Sequence, residues 1–316
     1  MSKIQETVRQ FMPWSHSKVS LAEHCPSAFQ RRYVLRMGRK EGTDARVGTA
    51  AHTYLEHRLG GADEEEAAQT AAKSIKEMTS TELETLRERS KQSEAYVERT
   101  SVFRDRVGVV HEGREVRLAI EPNGDPCAYT DPKALILGSV DHLIEQQDRK
   151  ALTVDHKSGK VHPLDHYVPQ LNTYNVLVIQ NRTHLRVVQS GVHHVQNGQL
   201  IWQPPVDRQK VSRVLLPWVI RRIENAARGL EGFPAKTSVL CAWCDYHAQC
   251  EAGIAFVSIE EAEKKRNRKK KGSGTPRIKK DGTPYATPKK REVVDTLKPE
   301  EFEPVDDLFP DEGIIL

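Results

Sequence analysis

Near residue 110 the hydrophobic period of this chain changes. Upstream, apolar residues recur at helical spacing. From Arg114 to Lys157 three runs are continuous or alternating and rich in β-formers: 114–120 (REVRLAI), 134–146 (ALILGSVDHLIEQ) and 150–157 (KALTVDHK). These read as strands. Helices are expected over 17–37, in short pieces around Cys25-Pro26, from Gly48 to Gly60, and at about 63–79 and 81–106. Downstream, a helix is expected from about Asp165 to Gln180, strands at 184–195 and 199–203, and a helix from Asp207 to about Gly229. Helices, three strands, helix, two strands, helix imply an α/β fold, a mixed central sheet flanked by helices.

The chain has 316 residues, enough for one large domain with appendages. No apolar run approaches the roughly 18 residues that span a bilayer. The start, MSKIQETVRQFMPWSHSK, lacks the apolar stretch of a secretory signal. A cytoplasmic protein with no membrane part is expected, and its compact size suits a bacterial or phage-infected cell. Five cysteines in a reducing compartment bind metal more readily than they form disulfides.

Residues 1–263 carry 34 basic and 34 acidic side chains, so the body is neutral and its bulk charge does not mark a nucleic-acid binder. The net +4 comes from the tail: 264–291 hold 13 basic and one acidic residue, and 292–316 one basic and nine acidic. With its GSGTP and DGTPYATP stretches this tail reads as disordered. The expected organisation is a folded domain over 1–255 and a disordered tail over 256–316. The basic block is a solvated linker or a phosphate-tracking arm. The acidic segment Val305-Asp306-Asp307-Leu308-Phe309 resembles short peptides that dock on a sliding clamp or a recombination protein.

Chemistry concentrates at Asp155-His156-Lys157. Strand side chains alternate, so Asp155 and Lys157 point the same way, about 6–7 Å apart. A carboxylate there can hold a hard cation, and the ammonium sits over the same spot as a point charge. His156 faces away, but its backbone carbonyl lies between the two and can ligate the same ion. Asp141, expected to end the preceding strand after a tight Gly138-Ser139-Val140 approach, comes beside Asp155 if the strands pair as a hairpin. Two carboxylates and a lysine around Mg²⁺ or Mn²⁺ are what phosphodiester hydrolysis needs. Taken alone, a D-x-K triplet is more often a solvated ion pair worth about 0–1 kcal/mol. Its company raises it. Gln170 and Tyr174, spaced i,i+4, share one helix face, from which an amide and a phenol reach a phosphate or the attacking water. His52, in Gly48-Thr49-Ala50-Ala51-His52, is a further candidate metal ligand, although a lone helical histidine is more often structural. Glu115 is an additional acidic candidate.

Cys241-x2-Cys244-x5-Cys250 lies near the end of the folded part, and Cys25, followed by proline, stands more than two hundred residues upstream. Four thiolates there complete a 4Fe–4S cluster that staples the first helices to the last segment, or a four-cysteine zinc site; residue types do not separate the two. Cys127 has no matching spacing and reads as a free thiol.

The ordered set from Cys25 to Cys250, by way of His52, Gly138 to Asp141, Asp155 to Lys157 and Gln170-x3-Tyr174, resembles the iron–sulfur RecB-type nucleases of the PD-(D/E)XK class. That group includes the CRISPR adaptation nuclease, the AddB nuclease domain and phage relatives. The resemblance covers about residues 17–255. It implies that His52, Asp141 and Asp155 bind metal, that Lys157 assists catalysis, that Gln170 and Tyr174 support the site, and that the four cysteines hold the cluster. The implied activity is metal-dependent hydrolysis of DNA, exonucleolytic and on single strands, in recombination, repair or replication. The alternatives are a non-catalytic iron–sulfur scaffold or DNA-binding subunit of a recombination or CRISPR-type complex, and a zinc-stabilised nucleic-acid-binding protein. The chain departs from the group in lacking helicase motifs such as a Walker A loop, and its tail has no counterpart there.

Overall fold

A computed structural model describes residues 2–38, 42–259 and 261. The basic and acidic blocks of the tail, and the clamp-like segment within them, lie outside the described residues.

Among the described residues, six α-helices and a π turn over Gln30–Val34 precede the first strand. The helices are α1 (Lys3–Gln10), α2 (His16–His24), α3 (Pro26–Phe29), α4 (Thr43–Leu59), α5 (Glu64–Lys73) and α6 (Ser80–Arg106). Side-chain caps set several of their starts. The Ser2 hydroxyl accepts from Gln5 N, Asp63 from Glu66 N, and Thr79 exchanges reciprocal bonds with Glu82, each satisfying amides that a helix N-terminus leaves open. Helix α4 begins at Thr43 rather than at Gly48, so Gly48 lies inside it. Helix α5 ends at Lys73, earlier than expected.

The strands are β1 (Val109–Ile120), β2 (Pro126–Cys127), β3 (Ile136–Gln146), β4 (Lys150–Lys157), β5 (Val187–His194), β6 (Gln199–Trp202) and β7 (Val206–Asp207). Their order is β2-β1-β3-β4-β5-β6, with β7 also paired to β5. All neighbours are antiparallel except β4 and β5, so the sheet is mixed, as expected. A parallel pair needs a crossover, and α7 (Val168–Asn181) supplies it. The expected last helix is broken into α8 (Arg208–Lys210), a π turn over Val211–Leu215 and α9 (Leu216–Gly229). Pro217, with no N–H to donate, stands where the wide turn gives way to regular helix.

Helix α7 lies on one face of the sheet. Its Leu171, Leu177 and Ile179 are fully buried and join Val140, Leu143 and Val192 of the strands in the main core. The N-terminal segment is tied to this core by aromatic rings. Phe29 stacks on Trp14 at 5.9 Å and meets Phe11 edge-on at 5.1 Å, while Trp14 bridges by its backbone to the chain around Ile136. On the other side α4, α5 and α6 share a smaller apolar cluster through Val47, Ala51, Tyr54, Ala71 and Leu86.

The chain divides into two compact units, 1–236 and 237–316. The described part of the second consists of 3-10 turns at Val239–Trp243 and His247–Gln249 and a helix over 251–259.

Candidate active site

Antiparallel pairing of β3 and β4 sets the register His142↔Val154, which brings Asp141 to the level of Asp155. The ladder stops there, and the free amide of His156 donates instead to Asp141 Oδ2 at 2.7 Å. Asp141 thus stands in the middle of β3 and not at its end, because β3 continues back to Ile136 to pair with β1. Gly138 is likewise an interior strand residue, not part of a tight turn. A Cβ there would come within 2.8 Å of Leu177 Cδ1 and 3.5 Å of the Tyr174 ring, so its lack of a side chain is what lets α7 close on the sheet.

That closure delivers Gln170 and Tyr174 to Asp155. Gln170 Nε2 donates to Asp155 Oδ1 at 2.9 Å and the Tyr174 hydroxyl donates to the same oxygen at 3.1 Å. The pair therefore holds a carboxylate rather than standing open to a phosphate. Asp155 Oδ2 lies 2.6 Å from Lys157 Nζ and makes no aligned hydrogen bond among the described residues, which leaves a lone pair available to a cation. Burial works against the Lys157 charge, and Asp155 more than offsets it, holding the ammonium above its usual range.

Opposite Asp141 on β1, Glu115 has φ +48, the left-handed region that a branched or long side chain rarely adopts. Its neighbours Arg114 and Val116 pair normally with His142 and Val140, so only this residue leaves the pleat. Ser139 donates to Glu115 Oε2 at 2.9 Å. Helix α4 brings His52 above them, with Nδ1 3.5 Å from Asp141 and 3.9 Å from Glu115. Its approach is set by Gly48, where a Cβ would lie 2.8 Å from Ser158 Oγ at the end of β4. His52, Glu115 and Asp141 present ligand atoms that all lie within 4.8 Å of one another, a spacing suited to one metal ion.

The electrostatics agree with a cation site. Burial, with Asp155 adding to it against the pull of His52, pushes the Asp141 carboxyl up to about 7. Burial opposes charge on His52, but Asp141, Glu115 and Asp155 outweigh it and hold the imidazole up to about 9. His52 and Ser139 keep Glu115 below the usual carboxylate range against burial. Crowded carboxylates need a positive charge between them. Oxygen ligands with one imidazole suit a hard divalent ion such as Mg²⁺ or Mn²⁺.

His156 points to the opposite face, as its alternation requires. Its Nδ1 lies 3.0 Å from His193 Nδ1, and its ring packs edge-on to Tyr96, whose hydroxyl meets His142 Nδ1 at 2.7 Å. Within a strand the N–H and C=O of one residue point to the same side, so the His156 carbonyl is directed to the edge where its amide meets Asp141. Sequence reasoning gave Ser139 no role of its own and gave no hint of the cluster of Tyr96, His142, His156 and His193. Ser139 could have been found as the strand neighbour two residues before Asp141; nothing local marks Tyr96.

None of the five cysteines is in a disulfide, and all are half-buried. Cys25 occupies the junction of α2 and α3, and its side chain accepts no capping hydrogen bond from α3. Beside it, Ser27 N donates to Pro234 O at 3.3 Å and Lys236 Nζ to Glu23 O at 2.9 Å. In the second unit, Ser238 N donates to Cys241 Sγ at 3.4 Å.

A family model described as the PD-(D/E)XK nuclease superfamily matches residues 13–251, more than half of the chain, and the chain belongs to that superfamily. A solved structure of a candidate exonuclease from Eubacterium rectale is similar at 12% identity and TM-score 0.42, covering 73% of this chain and 85% of that one. The solved structure of SSO0001 is similar at 15% identity and TM-score 0.30, covering 80% and 98%. At those scores neither supports an inference about this chain. No curated protein matches it. No described helix is long and apolar enough to cross a membrane.

Proposed function

We propose that this chain is a divalent-metal-dependent deoxyribonuclease that digests single-stranded DNA from an end, in recombination, repair or replication. The observation that carries the reading is the convergence of Asp141, Asp155 and Lys157, from adjacent strands, with Glu115 and His52 completing the acidic cluster. Asp141, Asp155, Glu115 and His52, with the His156 carbonyl, would hold the ion. A divalent ion there supplies charge that polarises a phosphate and lowers the pKa of a water. Gln170 and Tyr174 hold Asp155 through Oδ1, which would leave its second oxygen, beside Lys157, free to help bind the ion. Lys157, part-exposed beside that oxygen, offers its ammonium to a phosphate oxygen or the attacking water. Protein incubated with 5′- or 3′-labelled single strands and duplexes, with and without Mn²⁺, tests this directly. Stepwise loss of nucleotides from single strands, only with metal, is expected; no cleavage of any DNA with Mn²⁺ overturns the reading.

Cys25, Cys241, Cys244 and Cys250 would carry a 4Fe–4S cluster. In support, the Cys241-x2-Cys244-x5-Cys250 spacing and the proline that follows Cys25 suit thiolate ligation of such a cluster. A zinc site within the second unit is the competing reading, and one observation favours it. His247 Nδ1 is buried without a hydrogen-bond partner among the described residues, facing the same gap at Gly253 as Cys250 Sγ. Brown colour with iron that is lost in Cys25→Ala supports the cluster. Colourless protein whose zinc survives Cys25→Ala but not His247→Ala supports the zinc site.

A further inference from the structure

Between β4 and α7 lies a segment that the proposed chemistry leaves unused. After Lys157 the chain runs through Ser158, Gly159 and Lys160 into a 3-10 turn, Leu164–His166, that leads straight into α7. His162 and His166 from this segment stack with ring centroids 4.3 Å apart and planes 23° from parallel. His162 is half-buried and meets the edge of Tyr167; His166 is exposed. Tyr167 below it is buried, packs edge-on to His166 at 5.0 Å, and has Lys157 Nζ 6.0 Å from its ring centre. His166, Gln170 and Tyr174 succeed one another at four-residue steps. The stack stands just before α7, the helix whose Gln170 and Tyr174 hold Asp155.

Two ordinary explanations fit this pair poorly. Ring-nitrogen lone pairs lie in the ring plane, so near-parallel rings direct them side by side, not toward one point as a chelate requires. A hydrogen-bonded core pair would be buried, and His166 is exposed. Burial, with His162 and Lys157 adding to it, lowers the pKa of His166, which favours an uncharged flat ring at neutral pH. Lys157, beside the Tyr167 ring, and the exposed Lys160, two residues before His162 in the chain, add positive charge to this segment, against Asp165 on the same turn.

We propose that His166, backed by His162 and Tyr167, is a stacking platform for one nucleobase of a single strand whose phosphate lies at Asp155 and Lys157. The proposal rests on the nuclease reading and extends it to strand choice. Imidazole and phenol rings are common supports for unstacked bases, and the lysines match the charge of the phosphates. A paired base in a duplex is covered on both faces by its neighbours and offers no face to His166. The platform therefore favours single strands without reading sequence.

The test uses full-length protein and a fluorescein-labelled single-stranded oligonucleotide, with Ca²⁺ as the divalent ion for binding. A single abasic position is moved along the strand. For the wild type, one position is expected to lower affinity at least about fivefold when its base is removed. His166→Ala should show a similar loss on the intact strand and no further loss at that position. His166→Phe should restore affinity, and His166→Lys should not. In cleavage assays the His166→Ala defect should fall on KM more than on kcat. Abasic and His166→Ala losses that add, His166→Phe behaving like Ala, or stoichiometric zinc released by His166→Ala would each overturn the platform. If the wild type cleaves no DNA, the nuclease reading falls and the platform with it; if it cleaves but the losses add, the platform alone falls.

Discussion

Lys157 and Asp155 face one another at 2.6 Å because a two-residue step along a strand returns a side chain to the same face. Lys157→Ala is expected to reduce kcat at least about a hundredfold, since it removes a fixed charge aimed at the reacting phosphate. The loss in kcat should exceed any fall in the variant's DNA affinity in Ca²⁺, and cleavage at the wild-type rate would place the chemistry elsewhere. Tyr174→Phe removes one of two donors to Asp155 Oδ1 while Gln170 remains, so a smaller loss is expected, about tenfold. Glu115 gives a different signature. Its left-handed backbone stores strain of order 1 kcal/mol that glycine would release. Glu115→Gly should therefore raise metal-free stability by up to about 1 kcal/mol, measured by urea unfolding, while weakening Mn²⁺ dependence of cleavage. A fall in stability together with unchanged Mn²⁺ response would remove Glu115 from the site.

Gly138 shows how one element positions another. Because a side chain there would meet Leu177 and Tyr174, Gly138→Val should force α7 outward and destabilise the protein by about 1–3 kcal/mol. Activity should fall further than stability predicts, because the displaced helix carries Gln170 and Tyr174 away from Asp155. Normal kcat in a folded Gly138→Val protein would show that the close contact does not set the site. Helix α7 itself is legible in the sequence, where the i,i+4 spacing of Gln170 and Tyr174 puts both on one face. Their target is not. By spacing alone they are candidates for a phosphate or a water, and only the packing of α7 across β3 and β4 directs both onto Asp155. The break between α8 and α9 is also invisible in the sequence, since the i→i+5 bonds of a π turn accommodate an extra residue that no residue type marks.

For the molecule as a whole, the aromatic anchor of Phe11, Trp14 and Phe29 ties the segment that carries Cys25 to the sheet. Phe29→Ala, at a fully buried position, should cost about 3–5 kcal/mol in global unfolding. Cys127→Ala, far from the other cysteines in sequence and on the short strand β2, should change neither metal content nor Tm. Loss of metal in that variant would redraw the ligand set. The alternation of apolar residues from 114 to 157, the helical spacing on either side and the D-x-K triplet determined an α/β class and a nuclease-like site locally, because strand and helix periods are short-range properties of the chain. Which acids converge is a long-range matter. Glu115 enters the site through a local break in the β1 pleat opposite Asp141, and His52 reaches it because Gly48 lets α4 come close to Ser158. Those contacts join residues tens of positions apart through strand register and close packing, and no local pattern in the chain encodes them.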